Sequence, residues 1–258
     1  MLGLGLIGMY DAAGSDTAFD LPEAQVWEKP AEREDLSAYV MLQCEQAAVP
    51  LRLEQGDFYL TVAKPLLDRI ITSALILLLL PVLLAVALSI KLADGGPVFF
   101  VQMRTGYLGR RFALLKFRTM IPDADKVKAD FLHLNVHGAA TPDFKASCDP
   151  RVTQLGRFLR STSLDELPNL FNVLRGDLSL VGPRPTSFEA NSYSPCHLPR
   201  LAVRPGVTGL WQVSGRATIG FDRRCELDME YIRRASAWTD LIIMLRTVVA
   251  VVRRSGAC

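Results

Sequence analysis

Between Ile70 and Ser89 the sequence reads I-I-T-S-A-L-I-L-L-L-L-P-V-L-L-A-V-A-L-S and contains no charged residue. A helix of about 20 apolar residues is long enough to cross the hydrocarbon core of a bilayer. A helix buried in a protein core is the less favoured alternative. We therefore predict a membrane helix over residues 70–90.

Pro81 lies near the centre of this apolar run. Proline removes one helical hydrogen bond and clashes with the preceding turn, so we expect a kink there. A kinked helix can enter one leaflet and return to the same face, whereas a straight helix would cross the membrane.

Basic residues flank the run unevenly, with Lys64 and Arg69 before it and Lys91, Arg104, Arg110, Arg111, Lys116 and Arg118 after it. The positive-inside rule places the later residues in the cytoplasm. It allows the preceding segment on either side, so the residues alone leave a spanning and a re-entrant helix equally open.

Net charge divides the chain into two regions. Residues 1–60 carry three basic and eleven acidic side chains, a net charge of −8, and residues 61–258 carry the other 26 basic and 16 acidic ones, a net charge of +10. We therefore predict an acidic, loosely structured leader over 1–60 and a basic body over 61–258. A basic body suits phosphate groups or an anionic membrane surface.

Cysteine and histidine usage gives little sign of a structural metal site. The five cysteines are odd in number and form no C-x-x-C pair, which favours a reducing compartment over a disulfide framework or a zinc site. His133 and His137 have the spacing of two ligands on one helix face but lack the glutamate of a zinc-protease helix. Ordinary surface or packing histidines are favoured.

The rest of the body predicts an α+β fold that is predominantly helical. Residues 98–101 and 112–117 are typical of the two strands of a small hairpin. Short helices are predicted over 123–137, 152–159 and 165–174, and the last ends at Arg175-Gly176. Residues 238–252 form an apolar segment followed by Arg253-Arg254, which fits either a core helix or an amphipathic helix lying at the membrane interface.

Two neighbouring carboxylates, Asp165 and Glu166, are the strongest candidates for chemistry. Ser163-x-x-Glu166 also fits a capping box, in which both side chains bond free N–H groups at a helix start. Such a position tolerates negative charge and can accept phosphate. Two carboxylates beside a phosphate repel it unless a cation intervenes, so we infer Mg²⁺ as a cofactor with Asp165 and Glu166 as its ligands.

Arg184 lies between Pro183 and Pro185, which restrict the backbone on both sides of it. The result is a stiff support for a guanidinium that can bind two phosphate oxygens. A turn with an exposed arginine is the alternative. Lys116, Arg118 and Arg160 are further donors, although each alone could be a solvated charge.

Seven ordered blocks of this sequence resemble the bacterial sugar transferases that are monotopic polyprenyl-phosphate phosphoglycosyl transferases. The resemblance extends from about Ala63 to Cys258, and its blocks are 64–69 (K-P-L-L-D-R), 96–106 (G-P-V-F-F-V-Q-M-R-T-G), 116–120 (K-F-R-T-M), 149–153 (D-P-R-V-T), 163–168 (S-L-D-E-L-P), 182–185 (G-P-R-P) and 204–216 (R-P-G-V-T-G-L-W-Q-V-S-G-R).

The resemblance implies a two-step reaction in which Asp165 attacks the β-phosphate of a UDP-sugar and releases UMP. Undecaprenyl phosphate then takes the phosphosugar from the enzyme. Glu166 would bind the metal, position other groups or help to activate the lipid phosphate. Arg160, Arg184 and Lys116 would hold phosphates.

The resemblance also implies a re-entrant helix broken at a Ser-Pro pair, which is Leu80-Pro81 here. Asn169 stands where glutamine is common, a change not expected to matter for the reaction. The block at 204–216 and the run Asp228-Met-Glu-Tyr-Ile-Arg-Arg resemble the branch that starts exopolysaccharide or O-antigen chains with a hexose 1-phosphate, so galactose or glucose is favoured. The short leader resembles a compact form of that branch.

The implied setting is the bacterial inner membrane, with the catalytic domain facing the cytoplasm. Its partners would be a UDP-hexose, undecaprenyl phosphate, membrane lipid and the downstream glycosyltransferases that extend the product, and no nucleic acid. Two alternatives stay open: an Mg²⁺-dependent glycosyltransferase that releases UDP, and a non-enzymatic scaffold in a polysaccharide assembly complex.

Overall fold

The computed structural model describes Val40 and residues 58–124, 149–214 and 220–252. The predicted helix over 123–137 and the histidines His133 and His137 lie outside these ranges, apart from a turn that includes residues 123 and 124. The leader also lies outside them except for Val40 and the last few residues before 61. Val40 is fully buried in a small apolar cluster with Ala190, Leu198, Leu201 and Ala202.

A long apolar helix dominates the first described segment. One π-helical turn, Tyr59–Ala63, leads directly into helix α1, Lys64–Asp94, which ends at Gly95 in the left-handed conformation. The most apolar 18-residue window has a mean hydropathy of 2.8, and only 17% of it is buried, so this helix is not an ordinary core helix. Among the described residues it is the one helix long and apolar enough to cross a membrane.

Helix α1 is not interrupted at Pro81. A continuous helix can still bend, so the kink expected at Pro81 stays a prediction. Its inward-facing residues contact the protein along the whole length of the helix. Ile71 and Leu75 pack on the main core, and Leu83, Val86 and Ile90 pack against Phe117 and Leu159. The opposite face exposes large side chains: Leu66, Leu67, Ile70, Leu77, Leu78, Leu80, Val82, Leu84, Leu88 and Leu92.

The predicted hairpin is confirmed. Strands β1, Phe99–Thr105, and β2, Arg111–Phe117, pair antiparallel in the register Phe99–Phe117 to Thr105–Arg111. The turn between them contains Gly109 at a φ of 76°, a conformation that glycine adopts without strain. Phe99 and Phe117 stack with their ring centroids 5.6 Å apart, at the end of the hairpin near α1.

The middle of the chain alternates short helices and strands. Helix α2, Gln154–Ser161, begins where the Thr153 hydroxyl accepts a bond from Gly156 N–H. A 3₁₀ turn, Leu164–Glu166, precedes helix α3, Asn169–Arg175, which ends at Gly176 as predicted. Strand β3, Ser179–Val181, then pairs parallel with β4, Gly206–Thr208, across an intervening 3₁₀ helix, Pro195–Ala202.

Three helices complete the body: α4, Leu210–Val213; α5, Phe221–Arg234; and α6, Ala237–Val252. Helix α6 fits both predicted alternatives in part, because Ile243 is buried in the main core while Trp238, Leu245 and Val248 are more than half exposed. The fold is therefore predominantly helical with a small hairpin, as the sequence predicts, and it contains a second, parallel two-stranded sheet that the sequence analysis did not predict.

A buried polar cluster joins the start of α1 to α6. Lys64 Nζ is paired with Asp240 and lies 3.8 Å from the carboxylate of Asp68. Asp240 also accepts hydrogen bonds from Tyr59 at 2.6 Å and Tyr231 at 2.8 Å. These contacts fix the beginning of the membrane-type helix to the C-terminal part of the body.

Lys64→Met should lower the free energy of unfolding by about 3–5 kcal/mol, because it leaves two buried carboxylates without their cation. Lys91→Met, at the exposed end of the same helix, should change it by less than about 0.5 kcal/mol. Denaturant titration of the detergent-solubilised protein measures both. Equal effects of the two substitutions would contradict a structural role for the buried cluster.

Candidate active site

Asp165 and Glu166 lie in the 3₁₀ turn Leu164–Glu166, one turn before α3. The α-helix predicted over 165–174 begins only at Asn169 in the structure, so its predicted start is too early. The predicted capping box is also wrong. Ser163 makes no side-chain cap bond, and the carboxylate of Glu166 points to two cations instead of the backbone.

Ser163 explains why the capping box does not form. Its φ of 57° places it in the left-handed region, which is unusual for a residue other than glycine. The chain thus turns between α2 and the 3₁₀ turn, and the extended N-cap geometry that a capping box needs is absent. Charge-assisted bonds to cations are also stronger than a bond to a neutral N–H.

Glu166 is the electrostatic centre of the site. Its Oε1 accepts hydrogen bonds from Lys116 Nζ at 2.9 Å and from Arg184 Nη2 at 2.5 Å, and Arg184 Nη1 lies 3.4 Å from Oε2. Burial opposes the charge, but these cations outweigh it and hold the pKa of Glu166 well below its ordinary value. Glu166 is therefore ionised and held by two partners.

The two cations come from separate parts of the fold. Lys116 is in β2, and Arg184 is in the loop that follows β3. Pro183 and Pro185 have no N–H, so the Arg184 segment has few backbone donors. The carbonyl of Arg184 accepts a 2.8 Å bond from buried Arg200, which itself pairs with buried Asp228 at 2.7 Å.

Asp165 differs from its neighbour in its contacts. Its carboxylate has no hydrogen-bonding or ion-pair partner among the residues that the structure describes, although Lys116, Glu166, Arg160 and Arg184 all act on it electrostatically. Burial raises the pKa of Asp165, and Lys116 is the largest opposing influence. Asp165 is thus a carboxylate in a basic environment that remains available for a new bond.

The structure brings all five predicted site residues together, because Lys116, Glu166, Arg160 and Arg184 all lie close enough to Asp165 to influence its charge. The Nε of Arg160 donates a 3.0 Å hydrogen bond to Thr119 Oγ1. Arg118, the remaining candidate donor, is instead paired with Asp94 at the end of α1. Lys116, Glu166 and Arg184 also line a small open cleft.

Sequence reasoning missed Arg104 and the functional potential of Asn169, which also line the cleft. It also missed Arg200, which donates a hydrogen bond to the carbonyl of Arg184, and Asp228, which pairs with Arg200. Arg104 belongs to the family block at 96–106, but strand alternation alone does not show which side chains of that block reach the cleft. Asp228 begins a run that resembles the family, but nothing in the sequence indicates that it pairs with Arg200.

The donor set fits Mg²⁺ only in an open arrangement. Within residues 58–124, 149–214 and 220–252, no three His, Cys, Asp or Glu side chains are grouped as metal ligands. Mg²⁺ commonly uses one or two carboxylates and completes its shell with substrate phosphate and water. Asp165 can supply one such oxygen, whereas Glu166 already binds Lys116 and Arg184.

Comparison with known proteins identifies the family. The model of the family described as "Bacterial sugar transferase" matches residues 59–254, most of the chain. The chain belongs to the bacterial sugar transferase family. The matched region contains the long apolar helix, the hairpin and every site residue discussed above.

The names of similar proteins refer to sugar transfer, to undecaprenyl phosphate or to exopolysaccharide production. The chain is 46% identical to "Galactosyl transferase CpsE" of Streptococcus agalactiae over 200 residues, 76% of this chain and 43% of that protein. It is 45% identical to "Undecaprenyl-phosphate galactose phosphotransferase" of Salmonella typhimurium over 64% of this chain and 35% of that one. It is 39% identical to "Exopolysaccharide production protein ExoY" of Rhizobium meliloti over 76% and 88%.

The chain therefore spans less than half of the length of the first two relatives and most of the third. The similarity identifies the shared domain. The reaction, substrates and partners of the present chain follow as proposals below.

Glu166→Gln should lower the free energy of unfolding at pH 7 by about 2–3 kcal/mol, because Lys116 and Arg184 lose a shared anion. A carboxyl whose pKa is lowered by folding stabilises the protein fully above its unfolded pKa, and this contribution falls as the pH drops below that value. The difference between wild type and Glu166→Gln should therefore be largest above about pH 5 and narrow toward pH 3. Denaturant titrations at several pH values measure it, and a difference independent of pH would contradict the ion pairs.

Proposed function

We propose that this protein transfers a hexose 1-phosphate, galactose or glucose, from a UDP-hexose to undecaprenyl phosphate and releases UMP. This would be the first membrane step of exopolysaccharide or O-antigen-type synthesis, and its product would pass to glycosyltransferases. The observation that carries the proposal is the contrast within the carboxylate pair: Asp165 has no ion-pair or hydrogen-bonding partner among the described residues, while Glu166 is held by two cations. The names of the relatives support the substrate classes.

In the first step, an Asp165 carboxylate oxygen attacks the β-phosphorus of the UDP-hexose. A bond forms between that oxygen and phosphorus, and the bond from phosphorus to the oxygen bridging the two phosphates breaks. UMP leaves with the electron pair, and the hexose phosphate remains on Asp165 as an acyl phosphate. Lys116, Arg184 and Arg160 supply positive charge around the transferring group.

In the second step, an oxygen of undecaprenyl phosphate attacks the same phosphorus and restores the Asp165 carboxylate. The product is a sugar joined to the lipid through a diphosphate. Glu166 acts mainly as a positioning group, because its carboxylate orients Lys116 and Arg184 toward the cleft. Its fixed negative charge also reduces the net positive charge that these two side chains bring to the site.

Asp165, and Glu166 to a lesser extent, would be the protein groups that hold Mg²⁺. When bound, it would neutralise phosphate charge and stabilise the charge that develops on the leaving UMP. The accessible carboxylate and the adjacent basic groups are compatible with such a site. Binding of Mg²⁺ through Glu166 itself would require Glu166 to give up part of its contact with Lys116 or Arg184.

We further propose that α1 is re-entrant and attaches the protein to one face of the bacterial inner membrane, with the catalytic domain in the cytoplasm. Both ends of the helix are joined to the same charged body, by Lys64 with Asp240 at the start and by Asp94 with Arg118 at the end. A straight span would place those two ends on opposite sides of the bilayer. The exposed apolar face of α6, which includes Trp238 and Leu245, would lie in the interface.

The nucleotide product separates the proposal from its closest rival. Purified protein with undecaprenyl phosphate, Mg²⁺ and radiolabelled UDP-galactose or UDP-glucose should release UMP and form lipid-linked product. Asp165→Asn should abolish both activities and change the melting temperature little. Release of UDP would indicate ordinary glycosyl transfer, and lipid-linked product from Asp165→Asn would remove the nucleophile assignment. A scaffold protein would give no product with any UDP-hexose.

Cysteine labelling tests the arrangement of α1. Single cysteines at Val62 and at Leu92, both exposed, mark the two ends in a variant without the native cysteines. A membrane-impermeant maleimide should label both positions in inside-out vesicles and neither in intact spheroplasts. Labelling of the two positions from opposite sides would show a spanning helix.

A further inference from the structure

The buried side chain of Asn169 lines the cleft, and its amide oxygen has no hydrogen-bonding partner among the residues that the structure describes. The residue is 3% exposed, lines the cleft with Lys116, Glu166 and Arg184, and its Oδ1 is fully shielded and unbonded. Oδ1 is the amide atom that is both shielded and without a hydrogen-bonding partner among the residues that the structure describes. Buried amides are almost always bonded, which makes this one unusual.

A second asparagine on the same helix shows how the fold normally treats such a group. Asn172 is completely buried, and its Oδ1 accepts a 3.0 Å bond from the N–H of Leu115 while its Nδ2 donates to the carbonyl of Ala113 at 2.7 Å. Asn172 thus joins α3 to β2. Asn169, three residues earlier, makes no such contact and faces the cleft.

Leaving an amide unbonded in the interior destabilises the folded protein, so the arrangement is explained if the missing partner is a ligand. The ligand group must donate a hydrogen bond, since Oδ1 can only accept one, and it can also accept one from Nδ2. A phosphate oxygen cannot donate the hydrogen bond that Oδ1 needs, and Lys116 and Arg184 already provide donors for phosphate. A hydroxyl group can both donate and accept a hydrogen bond.

We propose that Asn169 binds a hydroxyl of the hexose and is a specificity-determining residue of the cleft. This inference rests on the proposed use of a UDP-hexose. Asn169 follows Glu166 by three residues, about one turn of helix, so its amide lies close to the cations assigned to the transferring phosphate. The hexose is bonded directly to that phosphate, whereas the nucleoside is separated from it by a second phosphate.

The test measures binding without turnover. In an Asp165→Asn background, titration calorimetry compares UDP-hexose affinity with and without Asn169→Leu. The leucine should weaken binding by about tenfold or more, because the bound hydroxyl loses its partner. Among UDP-hexose analogues that each lack one ring hydroxyl, one should bind weakly to the protein that retains Asn169. Asn169→Leu should not weaken the binding of that analogue further. That non-additivity identifies the contact.

Stability separates a ligand contact from a structural role. Asn169→Leu replaces an unbonded buried amide by an apolar side chain of similar size, so the melting temperature of the ligand-free protein should rise by roughly 2–4 °C. The matched control Asn172→Leu breaks two bonds to the hairpin and should lower it. A fall in melting temperature for Asn169→Leu would overturn the inference.

UMP binding distinguishes the hexose from the nucleoside. UMP should bind equally to the protein that retains Asn169 and to the Asn169→Leu variant. An equal loss of UMP and UDP-hexose affinity would place the contact on the nucleoside and overturn the proposal. Unchanged UDP-hexose affinity would overturn it as well. If the unsubstituted protein binds UDP-hexose but releases no UMP with undecaprenyl phosphate, the proposed reaction fails while the Asn169 contact stands on the binding data.

Discussion

One carboxylate shared between two cations determines the geometry of the site. Glu166 binds Lys116 from the hairpin and Arg184 from the loop after β3, and so joins two segments to the turn that holds Asp165. Its ionic partners keep it charged despite burial. Because Glu166 takes up the contacts of both cations, the Asp165 carboxylate lies in a positive environment without a bonded partner in the part of the chain that the structure describes. The two neighbouring acids thus acquire different roles from their surroundings rather than from their chemistry.

The long apolar helix packs against the strand that carries one of the site's cations. Its inner face packs on the main core at one end and on Phe117 and Leu159 at the other, and Phe117 follows Lys116 directly in β2. Lys116 therefore stands on a strand that contacts the membrane-type helix. In the proposed reaction, this arrangement would bring a water-soluble sugar nucleotide and a lipid phosphate to one reaction centre.

The sequence predicted those features that depend on local composition. The apolar run, the hairpin, the glycine stop after Arg175 and the clustering of Asp165, Glu166 and Arg184 were all accessible from residue patterns or ordered motifs. The capping box was not correctly predicted, because the left-handed Ser163 and the distant cations Lys116 and Arg184 override a local preference. Tertiary features are not encoded by any spacing rule. Two examples are the support of Arg184 by Arg200 and Asp228, and the amide oxygen of Asn169, which lacks a partner among the described residues.

Covalent capture of the hexose phosphate tests the assignment of Asp165 most directly. Incubation of the purified protein with UDP-hexose and Mg²⁺ in the absence of lipid acceptor, followed by rapid quenching in acid and mass spectrometry, should show a peptide containing Asp165 that carries one hexose phosphate. Addition of undecaprenyl phosphate before the quench should remove this modification. A protein that forms lipid-linked product while no hexose phosphate can be trapped on Asp165, or that carries it on another residue, would contradict the mechanism.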